Sequence, residues 1–242
     1  MASEITIEGP RRTGHAERIP SRLALLAAPE AARSQGEEAY LRIRERIVSL
    51  EMPPGSVVNE ARLRADLSIG RTPIREALQR LAHENLVRSV PHRGTFVTDV
   101  NITDLARITE VRVVLEGCAA HLAAERLGAA DRAAISELLD VLQAGRVTDQ
   151  RDLMKLDQEI HRRIYRAARN SLLEATLERY FNLSLRLWYL VLDHEVRLLE
   201  AVEEHTELLR AVLAGDGARA ERCMSNHVSG FELEIRKVLV ER

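Results

Sequence analysis

The sequence predicts a mainly α protein in two folded parts: three short helices closed by a β-hairpin, then an all-α bundle of about six helices. Three observations carry this. Turn-forming runs, Met52-Pro53-Pro54-Gly55 and Pro91-His92-Arg93-Gly94, punctuate residues 37–100. From Asn101 onward the chain holds no proline. There Leu, Ala and charged residues recur at helical spacing to the end. Residues 1–36 carry scattered charge and three prolines without a sustained period, so they are expected to be a disordered arm. The expected divisions are therefore 1–36, 37–100 and 101–242.

Composition excludes several classes. The 242 residues suffice for two small domains with cores of their own. Thirty-five basic residues against 37 acidic ones leave no global polyelectrolyte character. No apolar run approaches the ~18 residues of a membrane span. No basic segment followed by an apolar one opens the chain, so a cytoplasmic protein without membrane contact is expected. Cys118 and Cys223 are too few and too distant for a disulfide scaffold or a cysteine-based zinc finger. Charge is uneven, however: residues 60–98 hold seven arginines against four acids, a local surplus suited to a DNA-facing surface.

In the first part, Tyr40, Ile43, Ile47 and Leu50 form one apolar helical stripe. Asn59-Glu60 starts a second, short helix holding Leu63 and Leu67. Thr72 before Pro73 predicts the start of a third, with the hydroxyl capping and proline at the first helical position. Ile74, Ala77, Leu78 and Leu81 give it a buried face, while Arg71, Arg75 and Gln79 share the other. Leu86–Val90 and Thr95–Thr98 flank a basic turn as a hairpin. This is a winged helix-turn-helix, whose third helix enters the major groove while the hairpin lies along the backbone or minor groove. A solvated helix face is the plain alternative for the arginines; the local charge and the wing favour DNA.

In the second part, helical segments are expected over 103–127, 130–143, 149–169, 171–192, 195–214 and 218–240, joined by short connections as in a bundle. Asp157 and His161 lie one turn apart on a face shared with Met154, Ile160 and Ile164. His205 and His227 also sit among apolar neighbours. Three imidazoles and a carboxylate suit a divalent transition metal. Each histidine taken alone is more often a hydrogen-bonded core residue, and Glu159 and Glu204 lie nearby in sequence as acceptors for the other ring N–H, a role that spacing cannot assign. His121 and His194 are expected to be structural or solvent-facing.

Two resemblances sharpen this reading. The run Pro54-Gly55…Asn59-Glu60…Leu67-Ser68-Ile69-Gly70-Arg71-Thr72-Pro73-Ile74-Arg75-Glu76-Ala77-Leu78-Gln79-Arg80-Leu81…Leu86-Val87…Pro91-His92-Arg93-Gly94-Thr95-Phe96-Val97 resembles the GntR family of bacterial transcription regulators. The resemblance implies base contacts from Arg71 and Arg75. It implies positioning contacts from Thr72, His92, Arg93 and Gly94, with Arg62 as a phosphate contact. Gly70 stands where relatives carry Ser or Thr, which removes one hydroxyl contact to phosphate. Leu156-Asp157-x-x-Ile160-His161…Glu204-His205-x-x-Leu208…Met224-x-x-His227 is similar to the FCD domain of the FadR subfamily, in its six-helix, VanR-type branch.

That second resemblance implies one divalent ion per chain on Asp157, His161, His205 and His227, with zinc first and nickel or manganese as alternatives. It also implies a small carboxylate effector held by the ion and by Arg112. A salt bridge to Glu116 is the competing role for Arg112. Arg186 and Trp188 are expected to line the pocket. The expected protein is a homodimeric repressor that binds double-stranded operator DNA and is released by its effector. The alternatives are a regulator whose metal is structural or is itself the signal, and, least favoured, a metalloenzyme; no nucleophile or general base occupies a recognisable motif.

Overall fold

The structure is a computed structural model that describes residues 34–192 and 198–240. Most of the expected N-terminal arm, and His194, lie outside the described residues. The fold is mainly helical, as predicted. Helix α1 spans Gln35–Val48, α2 Glu60–Leu67 and α3 Arg71–His83, followed by β1 Val87–Val90 and β2 Gly94–Val97. Helix α1 starts two residues before the expected boundary because Ser34 Oγ accepts the Glu37 N–H at 3.2 Å. It also stops at Val48, so Leu50, with φ 60°, falls outside the helix that was to carry it.

Asn59 caps α2 by accepting the Arg62 N–H at 2.9 Å, as Asn59-Glu60 predicts. The start of α3 differs from expectation. Gly70 is the N-cap, with no side-chain bond, and Thr72 lies inside the first turn. Pro73 is tolerated there because the first N–H groups of a helix have no intrahelical partner. Ile74, Ala77, Leu78 and Leu81 join Tyr40, Ile43, Ile47, Leu63, Leu67 and Val97 in one core.

The hairpin pairs Val87 with Val97 and Val90 with Gly94. Pro91 and His92 occupy the turn closed by Arg93 N–H to Val90 O at 3.0 Å. His92 adopts φ 60° and Gly94 φ 98°. Residues 55–58 add a third edge that the sequence did not announce: Val58 N donates to Thr95 O at 2.8 Å and Val97 N to Ser56 O at 2.9 Å.

The remaining helices form a bundle: α4 Asp104–Arg126, α5 Ala129–Gln143, α6 Gln150–Ala167, α7 Ser171–Val191, α8 Leu198–Glu203, α9 His205–Ala214 and α10 Gly217–Val240. The predicted segment 195–214 is thus interrupted at Glu204, immediately before a candidate ligand, although Glu204 keeps helical dihedrals. Helix α4 packs along α10 and also meets α6, α7 and α9. The α4–α10 approach is close because Gly117 leaves room; a Cβ there would lie 2.6 Å from Ser225 Oγ. Among the described residues no helix is long and apolar enough to cross a membrane.

Candidate metal centre and nucleic-acid interface

Helix α6 presents Asp157 and His161 one turn apart, α9 opens with His205, and α10 supplies His227. All four side chains are buried, and their ligand atoms lie within 4.8 Å of one another. His161 Nε2 is 3.2 Å from His205 Nε2 and 3.3 Å from His227 Nε2. Asp157 Oδ1 lies 3.7 Å from the first two of these nitrogens and 3.9 Å from the third. Nitrogen ligands ~2.0–2.1 Å from a tetrahedral ion stand roughly 3.3 Å apart, so the separations suit a divalent transition ion.

The outward-facing nitrogens decide the tautomers. His205 Nδ1 lies 3.1 Å from the Val202 carbonyl, which can only accept, so this nitrogen carries the proton. His161 Nδ1 donates to Glu116 Oε2 at 2.6 Å. Burial raises the Glu116 carboxyl, but Arg112 and His161 outweigh it and hold the pKa at about 2. His227 Nδ1 faces Glu204 Oε2 at 3.1 Å. Burial, with the neighbouring imidazoles, pushes His205 well below its ordinary value and His227 down to about 3. With burial disfavouring charge on His205 and His227, and Nδ1 of His161 turned to Glu116, three Nε2 atoms converge on one point, an arrangement that fits a cation. Burial raises the Asp157 carboxyl against the pull of His161 and Arg112; a bound cation would reverse this.

Spacing alone does not assign the acceptors of the outward-facing ring nitrogens. Glu204 takes the role for His227, whereas Glu159 pairs with Arg163 and Arg166. Glu116, four residues after Arg112, fills the same role for His161, which nothing in the local sequence signals. Arg112 shows both anticipated features. Its Nε donates to Glu116 Oε1 at 2.5 Å, while its Nη1 is buried with no hydrogen-bond partner. The guanidinium centre lies 5.2 Å from the Phe181 ring and 5.3 Å from the Phe231 ring. Thr109 Oγ1, one turn earlier on the same face, is also buried and unpartnered.

Trp188 packs on Phe231, with ring centroids 4.9 Å apart. Arg186 donates from Nη1 and Nη2 to the Thr98 hydroxyl and carbonyl just after β2, while its Nε is buried without a partner. His121, half-exposed, faces Glu221 at 3.1 Å and Glu125 at 3.4 Å.

In the N-terminal part, α3 exposes Arg71, Thr72 and Arg75 on one side while its other side enters the core. Arg75 Nε lies 3.5 Å from Glu60 Oε2. Arg62 is exposed beside Asp66 at 3.7 Å. The hairpin tip exposes His92, Arg93 and Gly94 together. Helix α3 and the hairpin share one hydrophobic core.

The model of bacterial regulatory proteins of the gntR family matches residues 35–97, and that of the FCD domain matches residues 107–230. The chain belongs to the GntR family. An uncharacterised HTH-type transcriptional regulator of Streptomyces ambofaciens is 30% identical over 85% of this chain and 87% of its own. A probable D-xylose utilization operon transcriptional repressor of Paenarthrobacter nicotinovorans is 30% identical over 74% of this chain and 79% of its own. The E. coli McbR/YncC structure shares the fold, with a TM-score of 0.72 at 23% identity, covering 85% of this chain and 98% of that one. These families are transcription regulators, not enzymes: a GntR DNA-binding domain is joined here to an FCD ligand-binding domain.

Proposed function

We propose that this GntR regulator is a cytoplasmic homodimeric repressor whose operator affinity is set by a small carboxylate in the FCD domain. The observation carrying this reading is the juxtaposition of the Asp157/His161/His205/His227 cluster with the unpartnered Nη1 of buried Arg112. The four side chains would hold one divalent ion per chain, with zinc favoured by the three imidazoles. When bound, that ion supplies Lewis-acid positions for carboxylate oxygens. Arg112 contributes a charge-assisted donor, kept charged by Glu116 and walled by Phe181 and Phe231. Glu116 orients both Arg112 and His161.

At the DNA, Arg71 and Arg75 read base edges in the major groove. Thr72, Arg62, His92, Arg93 and Gly94 position the module on the backbone and minor groove. A two-fold dimer suits paired half-sites. The division between the two working parts falls near residue 100. An effector weakens DNA binding only by binding the DNA-incompetent arrangement more tightly.

One observation favours a second reading: all four ligands are buried, as in closed structural sites. The test is operator selection from a random DNA pool. It is followed by anisotropy titration of the selected duplex with zinc-loaded protein against a panel of mono-, di- and tricarboxylates. Release by a carboxylate in the wild type, absent in Arg112→Met, supports the effector reading. Binding indifferent to every carboxylate, with unfolding on chelation, supports the structural one.

A further inference from the structure

Helix α7 carries Glu178, Asn182 and Arg186 at successive turns, a polar stripe where the bundle meets the DNA-binding module. Glu178 is shared by two guanidiniums from opposite sides. Arg162 Nε of α6 donates to its oxygens at 3.2 and 3.3 Å, and Arg44 Nη1 of α1 donates at 3.4 Å. The three side chains are only 14–22% exposed, so their pairing is sensitive to small displacements. Arg162 follows ligand His161 directly in α6 and also donates to Asn182 Oδ1 at 3.2 Å.

On the other side, contacts continue to the recognition helix. The Arg44 guanidinium lies 5.4 Å from the Tyr40 ring centre. Tyr40 donates its hydroxyl to both Glu84 oxygens at 2.9 and 3.0 Å, just beyond α3, and Arg80 of α3 stacks 3.5 Å over the same ring. Two turns beyond Glu178, Arg186 grips Thr98, whose hydroxyl and amide bond Asn85 and Leu86. Leu183, between the two grips, packs against the DNA-binding core. Asn182 Nδ2 and Arg186 Nε are buried without partners, so a shifted seam could satisfy donors that this one does not.

We infer that Glu178 is a positioning residue: the Arg162–Glu178–Arg44 seam carries changes at the ligand helix α6 into α1 and, through Tyr40, to the recognition helix. This rests on the reading of α6 as a metal-ligand helix, which gives the seam something to report. Because one carboxylate serves both arginines, a shift of Arg162 alters the hold on Arg44; two discrete pairings are the physical basis of such coupling.

The test is hydrogen–deuterium exchange of the full chain, with zinc and with chelator, for the wild type, Glu178→Gln and Arg44→Met. In the wild type, zinc is expected to slow exchange in α6 and, about threefold to tenfold, in α1. Both variants should keep the α6 response while the α1 response falls to within about twofold of none. A merely stabilising pair would lower the unfolding midpoint yet leave that response intact. An undiminished α1 response in both variants overturns the inference, as does a silent α1 beside a protected α6 in the wild type. If α6 ignores zinc, the metal reading fails and the metal-free samples decide the seam. Faster exchange in α6 of Arg44→Met, across the seam from the substitution and with α4 and α10 unchanged, supports it; unchanged α6 overturns it.

Discussion

Glu116 accepts the His161 Nδ1 proton at 2.6 Å with one oxygen and the Arg112 Nε proton at 2.5 Å with the other. One buried carboxylate on α4 thus orients a candidate metal ligand and neutralises the candidate effector clamp. The Glu116→Gln variant is expected to lose about 10- to 100-fold in zinc affinity, the usual cost of a lost outer-shell partner. It should also lose about 3–5 kcal/mol of stability, because Arg112 remains buried without its counter-charge. Competition with a chromophoric chelator and denaturant unfolding measure the two effects separately.

The recognition helix makes a sharper claim about DNA. Arg75→Ala is expected to weaken binding to a selected operator by about 1–3 kcal/mol and relax base preference at one position, with unchanged circular dichroism. Normal binding by a folded Arg75→Ala protein would remove α3 from the groove.

The wing offers a trade between stability and affinity. His92 holds φ 60°, a region costing a residue with a side chain roughly 1–2 kcal/mol. His92→Gly should therefore unfold no earlier than the wild type, or up to about 1 kcal/mol later, while binding DNA more weakly. Arg93→Ala should reduce the salt dependence of binding by about one phosphate contact.

The α4–α10 contact makes a purely structural prediction. Gly117→Ala puts a methyl 2.6 Å from Ser225 Oγ, so it should destabilise by about 1–3 kcal/mol despite alanine's better helix propensity. Adding Ser225→Ala should recover much of that loss in thermal unfolding.

How far the sequence reveals this depends on range. The apolar faces of α1 and α3 were legible because 3.6-residue periodicity is local, and Asp157/His161 because one turn separates them. His205 and His227 were placed by family resemblance, since their convergence with α6 is a tertiary event. Glu116 went unassigned because its acceptor role spans 45 residues from α4 to α6. The contact of Arg186 with Thr98, 88 residues away, is equally out of reach of local spacing. The α3 start shifted by two residues because Gly70, without a side-chain cap, adopts the extended N-cap conformation that Thr72 was expected to supply.

Four buried side chains from three helices are placed to hold an ion. Plasma mass spectrometry of untagged, natively purified protein beside its His161→Ala variant checks this. About one divalent transition ion per chain, lost in the variant, is the predicted result. A metal-free wild type, or an unchanged metal content in His161→Ala, would contradict it.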